Sequence, residues 1–498
     1  MLKKVLFNGL AYGIVLITGL ISSIVLTRHL GPVLWGYYGQ VTWVAEFGAA
    51  LFGFGLTATA TRFLAFYSKK EDQADGKNLF IWITGFQLVV SLVGAVLTLL
   101  FAGQILTLTG WQITATLLRI GSFGIFSLAM LNLGMAMLRG LQEYKTLSIL
   151  TVILGVLTMF VVVVTLIASR VEVLVAATIA SQMIVLPWLF WKISHHFKNA
   201  RSFSIGRTPG QWQSILRYNF FIFLSVLADQ IVWQKSEIYF LAQLKDSTQS
   251  GFYSLAFTIA QTSIIMIASA LVGVLIPIFT SSFSQGGLVE LSHEYTRAFS
   301  YINLCVLPLG VGLFIIAPNL IQLMYGNSYL GVVPVLRIVI ISTAIGLYAK
   351  PSQSFFHALN RPEWLLVASL FAIPVDLLSA WKLVPIWGAI GAAVANLSAQ
   401  VLAASILIGR ANFSHHLEYN WRSILNGVLA ASACGSIAWI VLNYMPVPIF
   451  NLTLAVLGGV VSYSAALILL GDKTAIDGML LVKNKLHLPD ILKIYPSE

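Results

Sequence analysis

Charge is what this 498-residue chain has least of: Asp, Glu, Lys and Arg make up 9% of it, against a hydrophobic share of 58%. A soluble domain carries charge on about a quarter of its residues, so a water-soluble fold is excluded. Cysteine is scarce too. Cys305 and Cys434 lie far apart, each inside an apolar run, which argues against a disulfide framework or a thiolate metal site. The chain has no GxxxxGK[ST] phosphate loop and no extramembrane stretch large enough to fold alone, so a single-chain ATP-driven pump is not expected. No cofactor or metal is expected either.

What fills the chain instead is apolar runs of membrane-crossing length. Taking about 20 residues per crossing, spans are expected near residues 6–28, 37–61, 79–102, 112–138, 147–169 and 172–191. Further spans are expected near 215–243, 251–280, 297–317, 331–357, 364–384, 388–410, 422–444 and 448–470. The expected fold class is therefore an all-α polytopic membrane protein with about 14 transmembrane helices. The segment after Lys3 and Lys4 lacks a small-residue cleavage site and reads as a first span that stays.

The net charge of +11 is placed by the topology. Loops on the side of the termini hold about 22 Lys and Arg, the opposite loops about 4, a bias that puts both termini in the cytoplasm. Those short basic loops account for the charge without any nucleic-acid partner. The longest polar interruption, Trp191 to Arg217, carries Lys192, Lys198, Arg201, Arg207 and Arg217 with no acid, and its Thr208-Pro209-Gly210 triplet is expected to break a helix.

That interruption divides two similar halves. A slide of about 215 residues lays GYYGQVTWVAEFGAAL from Gly36 over GFYSLAFTIAQTSIIM from Gly251, with Glu46 against Gln261. Ser194-His195-His196 recurs as Ser414-His415-His416. The expectation is two six-helix lobes in a parallel pseudo-twofold repeat, plus two extra C-terminal helices. The boundaries are residues 1–194 for the first lobe, 195–214 for a cytoplasmic linker, 215–412 for the second lobe, 413–471 for the added pair and 472–498 for a basic tail. The tail either lies along the anionic inner leaflet or is solvated.

LTRHLGPVLWGYYG (Leu26 to Gly39) followed by GLTATATRFLA from Gly55 resembles the opening of a known family. SGFYSLAFTIAQ (Ser250 to Gln261), MYGNSYLGVVPVLRIV from Met324 and ALNRPEWLL…VPIWGAIGAAVAN (Ala358 to Asn396) resemble its later motifs. The family is the polysaccharide-transport (Wzx-like flippase) branch of the multidrug/oligosaccharidyl-lipid/polysaccharide exporter superfamily. The resemblance implies a bundle around a central cavity that moves oligosaccharides linked to undecaprenyl pyrophosphate from the cytoplasmic to the outer leaflet. The chain departs from the pattern after Asp229, where QIVWQKSEIYFLAQLKDSTQ replaces the basic, glycine-containing run of the family.

Charges inside hydrocarbon cost about 2.5–3.5 kcal/mol each and mark candidate sites. Glu46, Arg119, Asp229, Lys235, Glu237 and Asp376 are such residues. At 100° per residue Gln230, Gln234 and Glu237 share a stripe flanked by Asp229 and Trp233, and that stripe must face water or protein. Two readings stay open: the stripe lines a cavity, or Glu46 and Asp229 pair with Arg119 or Lys235 in lobe packing. On the cavity reading Arg119 and Lys235 contact an anionic headgroup, and Gln230, Gln234 and Trp233 suit sugar hydroxyls and faces. Arg62 and Lys350 stand at the cytoplasmic mouth, or snorkel there with His357. Glu46, Asp229, Glu237 and Asp376 are the candidates for a coupling proton or Na+. The adjacent pairs His195–His196 and His415–His416 lack the three- or four-residue spacing of helical metal ligands and read as interfacial loop residues. Trp35, Tyr37, Tyr38, Trp111, Trp188 and Trp191 read as belt aromatics.

The expected function is thus a non-enzymatic flippase of the inner membrane working by alternating access. Its partners would be the lipid-linked oligosaccharide, membrane lipids and, as an open alternative, a polysaccharide polymerase or glycosyltransferases. The rivals are a cation-coupled multidrug exporter of the same superfamily and a membrane glycan polymerase or ligase. An enzyme of that kind needs catalytic groups on a substantial outer loop, which this sequence lacks.

Overall fold

The computed structural model describes residues 2–66, 73–198, 209–244, 246–415, 417, 420–444, 448–472, 474 and 476. Residues 199–208 of the linker, His416 and the tail lysines Lys473, Lys483, Lys485 and Lys493 lie outside the described residues. Among those described there is no strand. The helices are α1 (Leu2–Leu51), α2 (Leu56–Phe66), α3 (Gln73–Leu100), α4 (Ala102–Thr109), α5 (Ala115–Gly140), α6 (Tyr144–Ala168), α7 (Val171–His196) and α8 (Pro209–Val232). They continue as α9 (Ile238–Leu241), α10 (Thr248–Ala260), α11 (Met266–Met324), α12 (Val332–Ala358), α13 (Glu363–Trp387), α14 (Ala389–His415), α15 (Trp421–Tyr444) and α16 (Pro448–Leu469).

Among the described residues, eleven helices are long and apolar enough to cross a bilayer. Two of them are too long for one crossing. At 1.5 Å per residue α1, with 50 residues, would run about 75 Å and α11, with 59, about 90 Å, against roughly 30 Å of hydrocarbon. Each folds over at one glycine, Gly31 (φ 76°, ψ 171°) and Gly287 (φ 64°, ψ −148°), in backbone conformations that side chains disfavour. The loops expected near 29–36 and 281–296 are therefore helix on both sides of a single hinge residue. With each long helix taken as two crossings, and the apolar stretch Asn219–Val232 of α8 added, the expectation of about fourteen is met.

α8 begins on Pro209. The first helical position needs no backbone N–H, and the fixed φ of proline already suits the helix. α5 opens on Thr114, whose hydroxyl accepts from the Leu117 N–H at 3.2 Å.

The chain divides into two compact units. Unit 1 holds Met1–Thr258, Met324–Val335 and Ser369–Ala399; unit 2 holds Ile259–Leu323, Leu336–Ala368 and Gln400–Glu498. In unit 1, α5 is the central helix. One apolar cluster sets its Leu133, Met137 and Leu138 against Leu64, Ile83, Leu150 and Leu189 of α2, α3, α6 and α7. A second sets Leu117 and Leu118 against Val41, Trp111 and Val175. Trp111 and Trp35 are only 7% and 6% exposed, so neither is a belt aromatic; their large faces are covered by packed helices. Trp191 does remain exposed.

In unit 2, α15 packs against α16 and α11 through small residues at helical spacing. Ala430, Ala431 and Cys434 meet Tyr463 and Leu467 of α16 and Leu304, Leu307 and Val311 of α11. Between membrane helices, where lipid tails are as apolar as leucine, such small side chains let backbones approach. The Tyr463 hydroxyl donates to the Leu304 carbonyl at 2.9 Å. Cys305 and Cys434 are free.

Candidate functional site

The seventh span is a broken helix. α8 stops at Val232, Trp233 to Glu237 form a turn, and α9 resumes for one turn. The sequence Trp-Gln-Lys-Ser-Glu has neither glycine nor proline, and a side chain takes up a backbone carbonyl at the break. The Ser236 hydroxyl reaches back to the Ile231 carbonyl at 3.0 Å, five residues away, in place of a helical contact. The Trp233 N–H still bonds the Asp229 carbonyl at 2.9 Å, and the Ile238 N–H bonds the Lys235 carbonyl at 3.2 Å.

This break corrects the helical stripe expected of Gln230, Gln234 and Glu237, because 100° spacing ends at Val232. Gln230 and Gln234 are half-buried and Asp229 is exposed, while Ser236 and Glu237 are buried. The turn is anchored from three helices of unit 1. Asn396 of α14 donates from Nδ2 to the Gln234 carbonyl at 3.0 Å, and Tyr253 of α10 donates to Glu237 Oε2 at 2.7 Å. Ser236 Oγ lies 2.9 Å from Asp376 Oδ2 of α13.

Glu237 and Asp376, 139 positions apart in sequence, are both 0% exposed and close enough for the charge of one to act on the other. Glu237 Oε1 and Asp376 Oδ1 have no donor among the described residues. Two bare carboxylates sealed together would repel by about 4 kcal/mol at 4 Å and an effective dielectric of 20. A proton or a cation between them removes that repulsion. The Ser236 hydroxyl has one proton for two acceptors, the Ile231 carbonyl and Asp376 Oδ2, so it can satisfy the carboxylate only in competition with the backbone.

The adjoining residue faces the other way. Lys235 Nζ lies 3.2 Å from Glu46 Oε2 on α1, with the lysine side chain 14% exposed and the glutamate 46%. Of the two readings open at the level of sequence, an ion pair does form, and it is half open instead of buried. Trp43, one turn before Glu46, sits in an aromatic group with Phe47, Trp111 and Tyr239, at centroid distances of 5.4, 5.8 and 6.3 Å.

The other sequence candidates are not drawn into this constellation. Arg119 is an exposed residue of α5 with no ion pair among the described residues. Arg62 is exposed on α2, its guanidinium 5.7 Å from the Phe63 ring. Lys350, in unit 2, donates to Gln353 Oε1 at 2.9 Å. His195 and His196 lie in the last turn of α7, not in a loop, and His196 Nδ1 is 3.5 Å from Glu143 Oε1. His415 ends α14. Tyr253, Ser236 and Asn396 were not singled out from sequence; uncharged, they give no signal on a scan for intramembrane charge.

A seam lies beyond the pair along α1. Gly36 and Gly251 face each other so closely that a Cβ on Gly36 would stand 3.0 Å from Gly251 N, and nearer still to the Ser247 carbonyl oxygen. A Cβ on Gly251 would stand 3.2 Å from Gly36 N and would overlap the Pro32 carbonyl oxygen. The slide that lays Gly36 on Gly251 also lays Pro32 on Ser247, so the two contacts are repeats of one another across the crossing. Gln40 Nε2 donates to Ser250 Oγ at 2.9 Å in the same seam, and the Tyr329 hydroxyl donates to the Thr27 carbonyl at 2.8 Å.

Residues 25–334, more than half of the chain, match the model of a family described as polysaccharide biosynthesis protein. An uncharacterized membrane protein in the cps region of Klebsiella pneumoniae is 24% identical over 426 residues, 81% of this chain and 80% of that protein. Among solved structures, the lipid II flippase MurJ in an inward closed conformation aligns with a TM-score of 0.74 at 12% identity, covering 97% of this chain and all of that one. An inward-facing multidrug resistance MATE transporter of the MOP superfamily aligns at 0.62 and 16% identity, covering 79% of this chain and 98% of that one. At these identities the structural likenesses speak for the fold alone.

Proposed function

The chain belongs to the family of polysaccharide biosynthesis proteins, and on that premise we propose that it is a flippase for a lipid-linked oligosaccharide. The resemblance read from the motifs after Leu26 and Ser250 is borne out by that membership. On this reading the chain is a transporter, not an enzyme. It spans the cytoplasmic membrane with both termini in the cytoplasm, and moves a glycan on an undecaprenyl pyrophosphate carrier by alternating access.

The observation that carries the reading is the Glu46–Lys235 pair. A carboxylate 46% exposed in the middle of an apolar span would face hydrocarbon unless water reached it, and an ion pair in hydrocarbon is too costly to keep. A wet chamber bounded by α1 and the turn 233–237 satisfies that requirement. Lys235 then meets the pyrophosphate, Gln230, Gln234 and Trp233 meet sugar rings and hydroxyls, and Arg62 draws the anionic headgroup in from the cytoplasm. The buried pair Glu237 and Asp376 takes the coupling ion, a proton or Na+, and the seam at Gly36 and Gly251 is the closure that parts when the chamber opens outward.

The test is complementation of a deletion strain, with lipid-linked glycan measured in the outer leaflet. Lys235→Gln protein should insert normally and deliver little. Wild-type delivery by this variant would overturn the site. A small-molecule exporter would instead confer drug resistance on overexpression and leave the glycan intact in the deletion strain.

A further inference from the structure

Lys235 is a cation already occupied. Its ammonium is 3.2 Å from Glu46, and the carboxylate is the more open partner, 46% against 14% exposed. Anything anionic that approaches Lys235 from water therefore meets Glu46 first. A phosphate has more charge and more acceptor oxygens than a carboxylate, so it is the stronger partner for an ammonium. Once phosphate holds the lysine, the displaced carboxylate stands beside it as a like charge and pushes it away.

We propose that Glu46 is an internal surrogate for the phosphate of the cargo, holding Lys235 while the chamber is empty and competing for it when cargo is bound. The proposal rests on the reading of Lys235 as a headgroup contact. Its consequence is that Glu46 weakens binding and speeds release. A transporter gains from such weakening, because a lysine that bound pyrophosphate without competition would retain it in either orientation of the chamber. It also assigns Glu46 away from ion coupling and leaves that task to Glu237 and Asp376. Lys235, Ser236 and Glu237 are consecutive on one turn, so a phosphate that draws Lys235 off Glu46 pulls on the backbone that seats the carboxyl pair.

The experiment is calorimetric titration of the purified full-length chain in nanodiscs with two probes, inorganic pyrophosphate and farnesyl diphosphate. Glu46→Gln should bind more tightly than wild type by about fivefold, the upper range for a partly exposed ion pair, and should export glycan more slowly. In a Lys235→Gln background the same change should have no effect, since its action passes through the lysine. Equal tightening for both probes supports a site that reads phosphate alone. Tightening for farnesyl diphosphate only supports a site that reads phosphate carried on a lipid. Unchanged or weaker binding of both probes by Glu46→Gln overturns the surrogate role. Lys235→Gln binding both probes like wild type overturns the underlying reading instead. Glu46→Ala removes the same carboxylate should the glutamine variant fail to fold.

Discussion

Replacing Gly36 by alanine adds one methyl group where the structure leaves none. The new Cβ would be 3.0 Å from Gly251 N and from the Ser247 carbonyl carbon, and inside contact distance of that carbonyl oxygen. These neighbours are backbone atoms and cannot rotate away. Carbon and oxygen approach to about 3.3–3.6 Å even in close helix contacts, so α1 and α10 must separate by on the order of 1 Å. Overpacking of this kind costs about 1–3 kcal/mol. If the seam exists only in the conformation closed at this end, the whole cost falls on that conformation. The population then shifts about five- to 150-fold toward the open one. The assay is labelling by a membrane-impermeant maleimide of Gln40→Cys, a fully buried position of the seam, in a chain whose Cys305 and Cys434 are replaced by serine. Gly36→Ala should raise the labelling rate at least fivefold, and Gly251→Ala should do the same because its contact with Pro32 repeats that of Gly36 with Ser247. Gly85→Ala, on α3 with nothing within 4 Å of the added carbon, is the control and should change nothing. Gly36→Ala protein that labels and exports like its parent would refute the argument that this seam is a moving closure.

Two further outcomes concern the turn. Asp376→Asn should relieve the repulsion between the buried carboxyls and leave the protein well folded, yet make export indifferent to an imposed pH or Na+ gradient; a gradient response equal to wild type would remove the pair from coupling. Tyr253→Phe leaves Glu237 Oε2 without its donor at 2.7 Å and should lower stability by about 1–3 kcal/mol, read as a fall in the thermal unfolding midpoint in detergent.

Composition and pattern determined a good deal about this protein on their own. Long apolar runs without charge can satisfy their backbones in a bilayer only as helices, so the all-α class and the approximate number of crossings follow from residue type alone. The family motifs at Leu26 to Gly39 and after Ser250 depend on glycines and aromatics at helix ends, which a linear reading finds. The scan for intramembrane charge also found Glu46, Lys235, Glu237 and Asp376 one by one. Which of them meet was decided by tertiary structure. Helical periodicity orients residues only within an unbroken helix, and α8 ends at Val232, before Lys235 and Glu237. Lys235 therefore turns to Glu46 on α1 and Glu237 to Asp376 on α13, partners that no local spacing encodes. Trp35 and Trp111 changed from expected belt residues to buried ones for the same reason: a side chain's surroundings are set by the helices packed on it, while the sequence around it records only its own.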